Sequence, residues 1–102
     1  MLVNLTMFPT DKRGNSASAD VARVIDIIDR SGLPYQLTAM STLIEGPWDK
    51  VMATVNKARL MLRRRHSRVY IIMTIDDRKG ARSRITGKVR SVEKHLGREV
   101  SK

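Results

Sequence analysis

The chain has no cysteine, so it can form neither a disulfide nor a thiolate metal site. That usage suits the cytoplasm, which is the expected location. Histidine occurs twice, as His66 and His95. Neither has a carboxylate at metal-ligand spacing, and both are expected on solvated surface. No apolar run approaches the ~18 residues that cross a bilayer, so no membrane association is expected. The opening stretch Met-Leu-Val-Asn-Leu-Thr-Met-Phe-Pro lacks a basic n-region and has too short an apolar stretch for a signal peptide; it reads as a first strand. There is no glycine-rich phosphate loop, nucleophile elbow or paired-histidine motif. Asp76 and Asp77 could bind a hard cation, but adjacent strand residues point to opposite faces and chelate together poorly. No catalytic residue, metal or cofactor is expected, and the chain is not read as an enzyme.

Basic charge, by contrast, is plentiful. Twenty Lys and Arg stand against ten Asp and Glu, a formal charge of +10 over 102 residues. Residues 1–62 carry seven cations and six anions; residues 63–102 carry thirteen and four. The C-terminal part therefore holds nearly all the excess, which favours an acidic partner such as nucleic acid, although a solvated basic surface explains it equally. The length suits one domain, residues 1–102, with a two-layer core.

Periodicity divides the chain. Residues 2–8 alternate, with Val3, Leu5 and Met7 on one side and Asn4, Thr6 and Phe8 on the other, predicting a strand. Pro9 to Ala17 reads as a loop, and its Gly14-Asn15-Ser16 gives only a weak anion-cradle signal. Ser18 is a plausible N-cap and Asp20 suits a first turn. Val21, Val24, Ile25 and Ile28 then mark one helix face, stopped by Gly32. Tyr35 to Ala39 and Thr42 to Ile44 flank a Met40-Ser41 link and predict a hairpin. The facing of Thr42 to Glu45 is ambiguous, because Leu43 and Ile44 are both apolar. A second helix runs from about Pro47 to Arg65, with Trp48, Val51, Met52, Val55, Ala58 and Leu62 as its buried stripe. Trp48 is expected to anchor the core. Arg63-Arg64-Arg65-His66 complements the helix C-terminus. Residues 68–76 form a last strand, with Val69, Ile71, Met73 and Ile75 on the apolar side. Asp77-Arg78-Lys79-Gly80 is a charged turn. Ile85, Val89, Val92 and Leu96 give a thin stripe on a third helix that Gly97 ends.

The order β-α-β-β-α-β plus a C-terminal helix, with right-handed crossovers, predicts an α+β ferredoxin-like sandwich: a four-stranded antiparallel sheet of order 4-1-3-2 with two helices on one face. The other face would carry Asn4, Thr6, Phe8, Gln36, Thr38, Met40, Tyr70, Ile72 and Thr74. It is too apolar to face water and too polar for an ordinary core, so it asks for a partner: another subunit, a small ligand, or both. RNA-recognition domains share this topology, but they stack bases on aromatics of the two central strands. Here Phe8 sits at the far end of one such strand and the other has none. Nucleic-acid binding would therefore be electrostatic and salt-dependent.

At the hairpin the sequence resembles a known family. Thr38-Ala-Met-Ser-Thr-Leu-Ile-Glu-Gly-Pro-Trp48 is similar to the T-x-M-x-T-x-I-E-G-x-W block of the small thiamine-binding (YkoF-like) proteins. Phe8-Pro9, Ser18, Val21-Ala22, Ser31-Gly32-Leu33, Ile75-Asp76-Asp77-Arg78 and Lys88-Val-Arg-Ser-Val-Glu93 extend the likeness over nearly the whole chain. The resemblance implies a non-enzymatic ferredoxin-like subunit that forms homodimers or homotetramers and binds thiamine, its hydroxymethylpyrimidine part or a related compound. It implies a ligand site at Thr38, Met40, Thr42, Glu45, Asp76 and Arg78. The threonines would bond a heteroaromatic edge, Glu45 would accept from an aminopyrimidine or face a thiazolium, and Met40 would pack on the ring. Asp76 and Arg78 would complete the rim. Each also has a structural use: threonine favours strands, Glu45 could pair with an arginine or cap the second helix, and Asp76-Asp77-Arg78 could shape a turn. A charge of +10 departs from the family pattern, because a basic field repels a thiamine cation and attracts a phosphorylated form or another anion. The alternative function is an oligomer docking nucleic acid or an acidic protein through Arg63, Arg64, Arg65, Arg82, Arg84 and Arg90.

Overall fold

Strand β1 (Leu2–Pro9) lies at the centre of the structure, a computed structural model that describes residues 1–11, 18–80 and 82–101. Val3, Leu5 and Met7 are buried, as alternation requires of a strand with helices on one face. Helix α1 (Ser18–Arg30), strands β2 (Tyr35–Leu37) and β3 (Thr42–Glu45), helix α2 (Trp48–Arg63), strand β4 (Val69–Asp76) and helix α3 (Arg84–Leu96) follow. The strands form one antiparallel sheet of order β2-β3-β1-β4, the expected ferredoxin-like arrangement. Val24 and Ile28 of α1 meet Val51, Val55, Ala58 and Leu62 of α2 over Val3, Leu5, Met7 and Ile44.

The register settles the facing of β3. Leu2 pairs with both Glu45 and Asp76, and Asn4 with both Leu43 and Thr74. Thr42 and Ile44 are therefore on the helix side and buried, while Leu43 and Glu45 are on the open face. The hairpin link is longer than expected. Strand β2 stops at Leu37 because the Thr38 hydroxyl accepts from the N–H groups of Met40 (3.2 Å) and Ser41 (3.1 Å) and donates to the Ser41 carbonyl (2.9 Å). Local side-chain bonds of this kind compete with a ladder. Thr38 and Met40 thus leave the open face, and Met40 is 85% exposed at the turn tip.

Several other expectations change. Pro9 belongs to β1, paired with Val69, rather than to the loop. Ser18 is the first helical residue rather than the residue before it. The Gly14-Asn15-Ser16 signal lies outside the described residues. Pro47 precedes α2 instead of opening it, with extended backbone. Trp48 is 56% exposed and not a core anchor. It is the first helical residue, and the buried stripe begins at Val51. Thr54 joins that stripe by donating its hydroxyl to the Lys50 carbonyl at 2.9 Å.

His66 is also not solvated surface: its side chain is 13% exposed. Past the end of α2 the backbone curls, with the His66 N–H on the Leu62 carbonyl at 2.9 Å. This brings the imidazole between Asp11 (Nδ1, 3.1 Å) and Asp20 (Nε2, 3.2 Å). Asp20 does more than complement the α1 dipole, because it is buried and also bonds Arg23 at 3.4 Å. Asp11 accepts from the backbone N–H and the hydroxyl of Ser67, and these bonds hold its carboxyl below the usual carboxylate range.

Helix α3 ends where expected, at Gly97 in the left-handed region (φ 73°). None of its residues is buried. With α3 outside the two-layer body, the radius of gyration is 15.2 Å, against about 13 Å for a compact chain of this length.

Candidate functional site

Strand β3 is four residues long, and the expected ligand residues divide between its two ends and its two faces. At the Thr42 end, Thr38, Met40 and Thr42 border a recess of about 120 Å³ beside α1. Thr42 is buried on the helix side, and the Thr38 hydroxyl is committed to its own turn. A recess this small does not hold a two-ring ligand.

At the other end, Glu45 faces the opposite side of the sheet. Its carboxylate is 9% exposed and takes backbone N–H groups from the first turn of α3: Arg84 to Oε1 at 2.8 Å and to Oε2 at 2.9 Å, and Ile85 to Oε1 at 3.3 Å. Glu45 therefore caps the third helix and not the second. An anion at that position meets both the orphan donors and the positive end of the dipole. Asp76, two strands away in the same row, binds the Arg84 guanidinium. That bond holds the Asp76 carboxyl below its ordinary range and raises Arg84. Sheet and arm are thus joined by two carboxylates acting on one turn of helix.

A cleft of about 940 Å³ opens beside this joint, between the start of α2, the start of α3 and residues 77–80 and 82–83. Its apolar wall includes Leu33, Pro34, Tyr35, Pro47 and Ile85. Glu45 also lines it, and Oε2 accepts only one backbone N–H, so it retains acceptor capacity. Gly46 forms part of the floor, and an added Cβ would stand 2.8 Å from Leu33 Cδ2 and 3.3 Å from Val51 Cγ2, so those side chains would have to shift. Terminal segments are tied in here too, with the Met1 ammonium on the Gly46 carbonyl at 2.7 Å.

The structure therefore brings Glu45 and Arg78 together at the cleft and sets Asp76 just behind it, in an adjoining groove that also contains Arg78. It does not bring Thr38, Met40 or Thr42 to them. Sequence reasoning passed over Tyr35, Lys50, Lys79 and Arg82 as lining residues. Only the basic excess after residue 62 hinted at Lys79 and Arg82, and nothing local marked Lys50. Among the described residues no cluster of three His, Cys, Asp or Glu is arranged to hold a metal ion. No described helix is long and apolar enough to cross a membrane.

Comparison with known proteins agrees with the fold. A UPF0045 protein of Mycobacterium bovis is 38% identical over 84 residues, covering 81% of this chain and 82% of its own. The UPF0045 protein YqgV of Bacillus subtilis is 32% identical over 100 residues, covering 93% and 96%. A hypothetical protein of Methanocaldococcus jannascii superposes with a TM-score of 0.80 at 25% identity, over 89% of this chain and 93% of that one. A Thermotoga maritima protein, described as a candidate for thiamine biosynthesis or salvage, has the same fold, with a TM-score of 0.77 at 23% identity over 89% and 96%. The family model for thiamine-binding proteins matches residues 3–93, which takes in every strand, both packed helices and the Glu45 cap on the third. On that span the chain belongs to the thiamine-binding protein family.

Proposed function

We propose that this chain is a non-enzymatic binder of thiamine, its hydroxymethylpyrimidine part or a related compound, and that it works as a homo-oligomer. The observation that carries the reading is the cleft at the Glu45 end of β3. It has room for a two-ring ligand, apolar lining that includes Tyr35, and a buried carboxylate with acceptor capacity left. In this reading the heterocycle lies against Tyr35 and Pro47, its exocyclic amino group donates to Glu45, and Arg78 closes the rim. Asp76 acts indirectly, by holding Arg84 and with it the α3 side of the cleft. Thr38, Met40 and Thr42 are not needed.

Binding without catalysis fits the place of His66, which is held between Asp11 and Asp20 and does not line the cleft. Self-association answers the exposure of Tyr70 and Ile72 on the open face and of Val92 and Leu96 on α3, which a second copy would cover.

The test is calorimetric titration with thiamine and with hydroxymethylpyrimidine, alongside light-scattering mass. One site per subunit, weakened in Glu45→Gln, on a particle of two or four subunits is expected. An absence of heat for both compounds would sink the binding reading. A monomer at micromolar concentration would sink the oligomer.

A further inference from the structure

Four cations line the rim of the same cleft: Lys50 from α2, and Arg78, Lys79 and Arg82 from the loop that follows β4. Two other charges nearby are already engaged. Arg84 is tied to Asp76, and the Glu45 carboxylate is turned onto the backbone of α3. Among the described residues, none of the four rim cations makes an ion pair; Asp77 is the other acidic residue lining the cleft. The cleft thus has two unlike halves, an apolar wall at Tyr35 and Pro47 and a rim where four cations outnumber the carboxylates of Asp77 and the helix-bound Glu45. A singly charged organic cation suits the first and is repelled by the second. A flat heterocycle linked to a phosphate suits both.

We propose, resting on the binding reading above, that the cleft selects a phosphorylated heterocycle, seating the ring on the apolar wall and the phosphate on Lys50, Arg78, Lys79 and Arg82. Arginine forks match phosphate geometry, and flexible lysines add donors without fixing one orientation. The second basic cluster, Arg63 to Arg65, lies at the far end of α2, about 20 Å from Lys50 along the helix, and so is remote from this rim.

The experiment compares thiamine with thiamine monophosphate on the full chain, and repeats both titrations in two variants of equal charge loss. Lys79→Gln/Arg82→Gln alters the rim; Arg64→Gln/Arg65→Gln alters the remote cluster. The phosphate ester is expected to bind at least about tenfold more tightly, as loss of charge-assisted bonds at one group would produce. That ratio should fall towards one in the rim variant, persist in the remote variant, and shrink as salt is raised. Equal or weaker binding of the ester would overturn the inference and leave the thiamine-type reading standing. A ratio lost equally in both variants would also overturn it, because a general field rather than a site would then be at work. If neither compound binds, both readings fall. Displacement of the ester by a short single-stranded oligonucleotide at matched phosphate concentration would overturn it in favour of a nucleic-acid surface.

Discussion

Helices α2 and α3 look alike on paper and behave differently in the fold. Both carry apolar residues on one stripe, and both end in cations. Yet α2 buries Val51, Thr54, Val55, Ala58 and Leu62, whereas α3 buries nothing. The difference lies in what is beneath each helix. Helix α2 crosses a sheet face whose other cover, α1, is already apolar, so its stripe is sealed from two sides. Helix α3 meets the body mainly through its first turn, where the contacts are carboxylates with N–H groups and a guanidinium. Amphipathic pattern states which face a helix would bury; topology decides whether anything is there to bury it.

The largest effect that sharpens this contrast is expected in α2. Leu62 is fully buried, so Leu62→Ala should cost ~2–5 kcal/mol through lost transfer energy and a residual cavity, seen as a marked fall in the denaturation midpoint. The matching change in α3, Leu96→Ala at a residue 47% exposed, should move the midpoint of an isolated subunit hardly at all. A large loss there would show that a second copy covers the stripe.

A smaller effect is expected at the joint. Glu45→Ala removes the acceptor of the α3 backbone and should cost about 0.5–2 kcal/mol, the range for losing a helix cap. Amide hydrogen exchange is the right readout. Residues 84–96 should lose protection while β1 and β4 keep theirs; uniform loss across the chain would mean that α3 is part of the cooperative core.

The smallest effect is acid sensitivity. The Asp76 carboxyl is held low by Arg84, and the Asp11 carboxyl by Ser67. A lowered folded value means that the stabilisation is present above the unfolded value, near 3.9, and is lost as pH falls through the folded one. Below about pH 4, exchange at the start of α3 and around Ser67 should therefore quicken before the core strands respond. Acid exchange that starts in β1 would contradict this.

Element order and sheet topology were legible in the sequence because they follow from alternation in β1 and β4 and from the 3.6-residue spacing in α1 and α2. The core face of β1 could be read residue by residue. What could not be read depended on contacts between distant segments. Asp11, Asp20 and His66 are far apart in the chain, and only a backbone curl after Leu62 brings the imidazole to the carboxylates. The hairpin was mis-sized because one hydroxyl, that of Thr38, outcompeted a ladder. Trp48 differs from expectation because periodicity gives direction around a helix but not where along it burial begins. For the candidate site, the family resemblance marked Glu45 and Arg78, which the cleft brings together. It could not show that the two threonines serve the other end of the strand.

The Glu45 joint has a consequence for how the chain tolerates change. A carboxylate that grips main-chain N–H groups recognises the presence of a helix start, not the side chains on it. Outward-facing positions along α3 can therefore drift in sequence, charge or partner preference without loosening the arm. Beyond Arg84, which Asp76 holds by its side chain, the body and the arm are free to diverge at different rates.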